Sequence, residues 1–167
     1  KHSGVLISPR PGVVRFSIRD ETGRPVPSKL TIFKVDGQSD RNPDLGDGFI
    51  GGGPEAVVFA ERGGGEVILP DGTYYAVATR GLEYEIDISE PFEVSPSQSP
   101  HLEMTVWRSV QSDGWVSADF HVHAAPSHDS GVALADRVRT MVCEGVEFFT
   151  STDHDYLTDY APTVELL

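Results

Sequence analysis

The stretch that decides how this chain is read is Val116-Ser117-Ala118-Asp119-Phe120-His121-Val122-His123. Apolar Val116, Ala118, Phe120 and Val122 alternate with Ser117, Asp119 and His121, and His123 continues the polar set. A period of two belongs to a β-strand with two different faces, so the two histidines point the same way at the strand's end. Downstream the period changes. Leu134, Val138, Met141 and Val142 fall at helical spacing, which predicts a helix within 130–145, with Ser130 placed to cap its start and Gly145 to end it. Residues 146–150 read as a short buried strand.

Strand, loop, helix and strand in this order predict a crossover between two parallel strands, which brings both carboxyl ends to one edge of the sheet. That edge would receive His121 and His123 from the first strand and Asp153, His154 and Asp155 from the second. Ligand sites of parallel sheets lie at such edges. Four of the six histidines fall within residues 115–155, together with Asp119, Asp129, Asp153 and Asp155. Imidazole nitrogen and carboxylate oxygen are ligands for zinc, manganese or iron, and a site with open positions can activate water. Polar residues on exposed loops would look alike one at a time. The paired spacing plus a Thr-Asp-His at a second strand end favours a divalent metal ion.

The same residues carry a family resemblance. Asp119-Phe120-His121-Val122-His123, then Pro126-Ser127-His128-Asp129-Ser130-Gly131, then Thr152-Asp153-His154, resembles the opening of a PHP-type (polymerase and histidinol phosphatase) metallohydrolase. Asp159-Tyr160-Ala161-Pro162 resembles the subgroup that carries an appended β-sandwich. The resemblance implies His121, His123, Asp129 and His154 as metal ligands, with Asp119 and Asp153 behind them to fix the imidazoles. Many members have a non-ligating residue where His128 stands, so His128 is an additional candidate ligand and the choice between it and Asp129 is open. The implied function is metal-dependent hydrolysis of a phosphoester or another small ester. The implied fold is a distorted β/α barrel with further ligands on later strands, of which residues 111–167 would be a truncated first β-α-β unit. On that reading residues 1–167 alone are inactive, and the incomplete barrel edges invite self-association.

Residues 1–110 read differently. Val14, Phe16 and Ile18 alternate with Arg15, Ser17 and Arg19, and Asp20-Glu21-Thr22-Gly23 makes a turn. Strands follow around Leu30 and Ile32, over 56–60, 66–69 and 73–79, around Tyr84, Ile86 and Ile88, and over 102–106, with Pro70-Asp71-Gly72 as a second turn. No helical period competes, so an antiparallel β-sandwich is expected. Residues 18–27 and 69–74 resemble the transthyretin-like or carboxypeptidase regulatory-like sandwich, motifs that specify a fold rather than a function. Residues 36–55 form a polar insertion whose spacing lacks the ordered pattern of a calcium loop, and a surface loop is expected there. Gln111-Ser112-Asp113-Gly114 is the expected boundary, flanked by Trp107 and Trp115.

Composition narrows the classes. The chain has 13 Lys and Arg against 26 Asp and Glu, a net charge of −13 over 167 residues. Residues 111–167 hold 2 basic and 10 acidic side chains. Such a surface argues against nucleic acid as a partner, since that needs basic patches. Cys143 is the only cysteine, so no internal disulfide forms, and its place in the helical pattern predicts a buried thiol. No apolar run is long enough to span a membrane. The chain reads as soluble, and its start at Lys1 without an initiator Met fits trimming, with any export signal removed. Two functions follow from different classes: a metal-dependent hydrolase acting on a small-molecule ester, or a non-catalytic binding or structural β-sandwich module with a vestigial metal motif.

Overall fold

The computed structural model describes residues 11–35 and 53–167. Most of the polar insertion, residues 36–52, therefore lies outside the described residues. Among the described residues, eight strands build a two-layer sandwich. One sheet has β1 (Gly12–Asp20) at its centre, between β4 (Gly64–Leu69) and β8 (His101–Val106). The other runs β3 (Ala56–Ala60), β2 (Ser28–Lys34), β5 (Gly72–Thr79), with β6 (Asp87–Ile88) and β7 (Phe92–Val94) both pairing with β5.

The core is what the alternation dictates. Val14, Phe16 and Ile18 of β1, Leu30 and Ile32 of β2, Tyr74, Ala76 and Ala78 of β5, and Leu102, Met104 and Val106 of β8 are all buried in one cluster. Arg15 and Arg19, on the opposite face of β1, stay exposed. Burying a large apolar side chain in this way contributes about 1.5–3 kcal/mol. The Tyr74 hydroxyl escapes a desolvation penalty by donating to the Pro70 carbonyl at 3.0 Å.

Two expectations are corrected here. The sandwich is not wholly antiparallel, because β8 runs parallel to β1, from Arg15 opposite His101 to Asp20 opposite Val106. The proline-rich residues 95–100 carry the chain from β7 in one sheet to β1's edge in the other, and the Arg15 N–H donates to the Pro100 carbonyl as β8 enters. The segment around Tyr84, Ile86 and Ile88 forms only the two-residue β6, with Ile86 and Ile88 exposed rather than packed. Its alternation reflects a strand margin, where Tyr84 makes a single bridge to Arg108.

After the sandwich, β9 (Ala118–Val122), α1 (Leu134–Cys143) and β10 (Phe148–Ser151) follow, and β9 and β10 pair in parallel. This is the parallel β-α-β unit expected within 111–167, but nothing among the described residues assigns it to a β/α barrel, and that part of the expectation is corrected. Ser130 does not cap the helix. Ala133 holds the N-cap position without a side-chain bond, while the Ser130 hydroxyl turns back to the His123 carbonyl at 3.4 Å. Gly145 does end it, at φ 70°, and the N–H of Val146 reaches the Met141 carbonyl in the way helix ends with a left-handed residue do. The last element is α2 (Ala161–Leu166), with Pro162 in its first turn.

The helix is covered on both sides. Val138, Met141 and Cys143 are its buried residues, and a second small core joins Val138 to Ala124 and Tyr160, with Leu134 and Phe149 against them. Toward the sandwich, Lys29 of β2 pairs with Glu144, and Arg139 stands 3.8 Å from Glu61 just beyond β3. The helix stripe that a parallel sheet alone would leave half open is thus closed by the sandwich. Burial pushes the Cys143 thiol up to about 11. Trp107 and Trp115, expected near this boundary, are both exposed.

Candidate functional site

The site is built at the carboxyl ends of β9 and β10. Val122 is buried between the two histidines, and that anchor sets the ring positions on either side. The Nε2 atoms of His121 and His123 stand 3.1 Å apart. The other nitrogen of His123, Nδ1, is 2.9 Å from a carboxylate oxygen of Asp129. The second oxygen of that carboxylate lies 3.2 Å from His154 Nε2. Ligand atoms of His123, Asp129 and His154 all fall within 4.8 Å of one another. His128 packs its ring on His154 at 4.7 Å between centroids, while the Asp129 carboxylate stands between the imidazoles of His123 and His154.

The loops that carry these groups are fixed by polar bonds rather than by secondary structure. Asp153 is buried and accepts from the Ala124 N–H at 2.7 Å, from the Ser151 hydroxyl at 2.9 Å and from the Thr158 hydroxyl. Burial raises its carboxyl, but the Ala124 N–H and the two hydroxyls outweigh it and hold the group below its ordinary value. Ser127, 2% exposed, donates to Asp129 at 2.6 Å and accepts the His154 N–H at 3.1 Å, which ties residues 123–130 to the loop after β10. The Arg137 guanidinium donates from α1 to the His123 carbonyl at 3.0 Å. Asp155, next to His154, takes φ 55° and is the one described non-glycine residue at positive φ. Aspartate tolerates that conformation better than most residues.

Asp119 and Asp153 were expected to steady imidazole rings, and they do something else. Asp119 accepts the backbone N–H of His121 at 3.0 Å, and Asp153 binds backbone and hydroxyls. Both shape the chain, not the rings. The ring partner is Asp129, whose carboxyl is held well below the usual range by the Ser127 hydroxyl first and by His123 next. Ser127 and Arg137 were missed in the sequence. The only signal for Ser127 was its place two residues before Asp129, where a short hydroxyl can bond back to a carboxylate.

The donor set fits a first-row divalent ion. Imidazoles and one carboxylate around a common ion at about 2.0–2.2 Å would sit a little over 3 Å from one another, close to the separations of His123 and His154 from Asp129. Asp129 is a carboxylate flanked by rings, and an ion placed there would replace hydrogen-bond contacts with ligand bonds.

No family model matches the chain, and no curated protein does. Several solved structures do. The shaft pilin SpaA of Lactobacillus rhamnosus GG matches with a TM-score of 0.43 and 17% identity, over 61% of this chain and 49% of the pilin. The 3-chlorocatechol 1,2-dioxygenase of Rhodococcus opacus 1CP matches at 0.39 and 14%, over 60% of this chain and 61% of the enzyme. The Bacillus anthracis TIE protein matches at 0.39 and 15%, over 74% of this chain and 20% of that protein. The chain thus spans between a fifth and three fifths of the length of these structures.

These results correct the family reading. With no family model matching, neither the PHP-type nor the transthyretin-like resemblance is upheld. The hydrolase and phosphoesterase reading that rested on the first falls with it. Short motifs such as His-x-His and Thr-Asp-His follow from strand alternation and loop chemistry, and so can recur without shared descent. What stands is the coarser class, a β-sandwich module. None of its described helices is long and apolar enough to cross a membrane.

Proposed function

We propose that this chain is a non-catalytic binding module: a β-sandwich with a small β-α-β appendage, residues 111–167, that holds one divalent metal ion between His123, Asp129 and His154. The observation that carries the reading is the convergence of those three ligand atoms within 4.8 Å on loops pinned by Asp153 and Ser127. His121 stands on the other side of the His123 ring, its Nε2 atom 3.1 Å from the His123 Nε2 that faces away from Asp129. His128 supports the His154 ring from outside. Zinc, manganese and iron all suit imidazole and carboxylate donors, and the acidic surroundings favour a cation.

An ion here would join the turn after β9 to the turn after β10, two segments about 30 positions apart in the chain, and so stabilise the appendage in the manner of a cross-link. The test is metal content and calorimetric titration of the chain with zinc or manganese. One ion per chain is expected, lost on His154→Ala and on Asp129→Ala. No bound ion in the unaltered chain, or an affinity indifferent to both substitutions, overturns the reading.

A further inference from the structure

We infer, resting on the metal reading above, that an ion held by His123, Asp129 and His154 controls how firmly α1 seats on the sandwich, so that the appendage closes on the sandwich with metal and loosens without it.

Helix α1 is bonded at both ends of this link. At its start the Arg137 guanidinium donates to the His123 carbonyl at 3.0 Å, and Val138 shares a small core with Ala124, the fully buried residue after that ligand. The Ala124 N–H is held in turn by Asp153, the residue before His154. At its end Cys143 is fully buried, Glu144 pairs with Lys29 of β2, and the Glu144 carbonyl comes against Gly81. Ten helical residues make a rod of about 15 Å between the two contacts. Rigid elements of this kind carry coupling from one site to another. Lifting Glu144 from the sandwich pivots the rod about its start and pulls Arg137 and Val138 away from residues 123 and 124. An ion that clamps His123 to Asp129 and His154 opposes that movement.

The junction is weak enough to be tipped. Arg80, just after β5, has its Nε buried without a hydrogen-bond partner, and the hydroxyl of neighbouring Thr79 is in the same position. Polar groups buried unpaired cost stability. A cleft of about 330 Å³, lined by Arg80, Gly81, Glu144 and Gly145 among others, leaves part of the contact unfilled. Close packing of the kind found in the sandwich core is missing there, and such a contact opens before the core does. Seated and lifted α1 are therefore the two states. The ion binds the seated one more tightly, and by linkage seating strengthens the ion's hold by the same factor.

Alkylation of Cys143 by iodoacetamide at fixed pH reads the seating, because a fully buried thiol reacts only through the opened state. Manganese is the probe, since its preference for oxygen ligands over thiolate keeps it off the cysteine. Saturating manganese is expected to slow alkylation of the full chain about tenfold, the order of a typical coupling between sites. In His154→Ala manganese leaves the rate unchanged. In the reverse direction Lys29→Glu, which sets like charges against Glu144 and touches none of the three ligands, speeds alkylation and weakens manganese binding in calorimetry by up to that same factor. If Lys29→Glu fails to fold, the alkylation of the unaltered chain decides alone. A rate that depends only weakly on urea places the reaction in the opened junction, whereas one that climbs as steeply as global unfolding overturns the inference. A chain that binds manganese with no change in alkylation overturns the coupling and leaves the metal reading standing. A chain that binds no manganese overturns both.

Discussion

Gly81 and Glu144 meet so closely that a methyl group on Gly81 would stand 2.0 Å from the Glu144 carbonyl oxygen. Gly81 also takes φ 67°, a conformation that side chains rarely adopt. The end of α1 therefore seats on the sandwich only because residue 81 lacks a side chain. Gly81→Ala is expected to lower stability by about 1–3 kcal/mol, through backbone strain and a contact that cannot relax without lifting the helix end. Urea denaturation of the two proteins measures it, and an unchanged midpoint would show that the helix end is free to shift.

Cys143 reports on the same junction. Its thiol is fully buried and pushed up to about 11, so both access and thiolate fraction are low at pH 8. In the native chain Ellman's reagent should react with it only as fast as the junction opens. Gly81→Ala should speed that reaction by about the factor by which it destabilises the chain. Immediate labelling of the unaltered protein would mean that the helix does not stay docked.

The buried carboxylate of Asp153 is the post on which both site loops hang. Asp153→Ala strips the Ala124 N–H and the Ser151 and Thr158 hydroxyls of their acceptor. Leaving buried donors unpaired costs about 1–3 kcal/mol. Thermal melting is expected to show that loss, and metal titration a weaker affinity, even though Asp153 is not one of the three proposed ligands. Full affinity together with an unaltered melting point would remove Asp153 from the account.

Asp20 gives the sandwich a definite acid response. Its carboxylate accepts from the Thr22 hydroxyl and from the N–H groups of Thr22 and Arg24, with the Arg24 guanidinium at 3.2 Å. The Thr22 hydroxyl is the largest cause, and together these bonds outweigh partial burial and lower the group from 3.8 to about 2. A depressed carboxyl stabilises the fold above its unfolded value and ceases to do so as pH falls through the folded one. Stability is therefore expected to drop between about pH 4 and pH 2, and Asp20→Asn should flatten that part of the curve while lowering the plateau above it. Parallel pH profiles of melting temperature test this, and identical slopes in the two proteins would contradict it.

Much of the fold could be read from the chain because alternation is a local property. Val14, Phe16 and Ile18, or Leu102 and Met104, state their own burial, and each lies in the core. Strand direction is not local, which is why the parallel pairing of β8 with β1 escaped notice. Ile86 and Ile88 show the reverse error: their alternation is perfect, but only a two-residue strand forms and both side chains face solvent. At the site, the shared face of His121 and His123 follows from period two alone. The roles of Ser127 and Arg137 depend on loops folding back on themselves, and no residue pattern announces that. The family reading failed for a related reason, since a few histidines and aspartates in order describe a chemistry more firmly than a lineage.

The central claim is that His123, Asp129 and His154 form one metal-binding unit in a module that does no chemistry of its own. The most direct measurement is calorimetric titration of the chain with zinc, followed by assay of the loaded protein on generic phosphoester and carboxylester substrates. The account predicts one ion per chain, binding abolished by His154→Ala, and no turnover above that of free metal. Turnover by the loaded chain that disappears with His154→Ala, or zinc binding that survives the substitution, would contradict it.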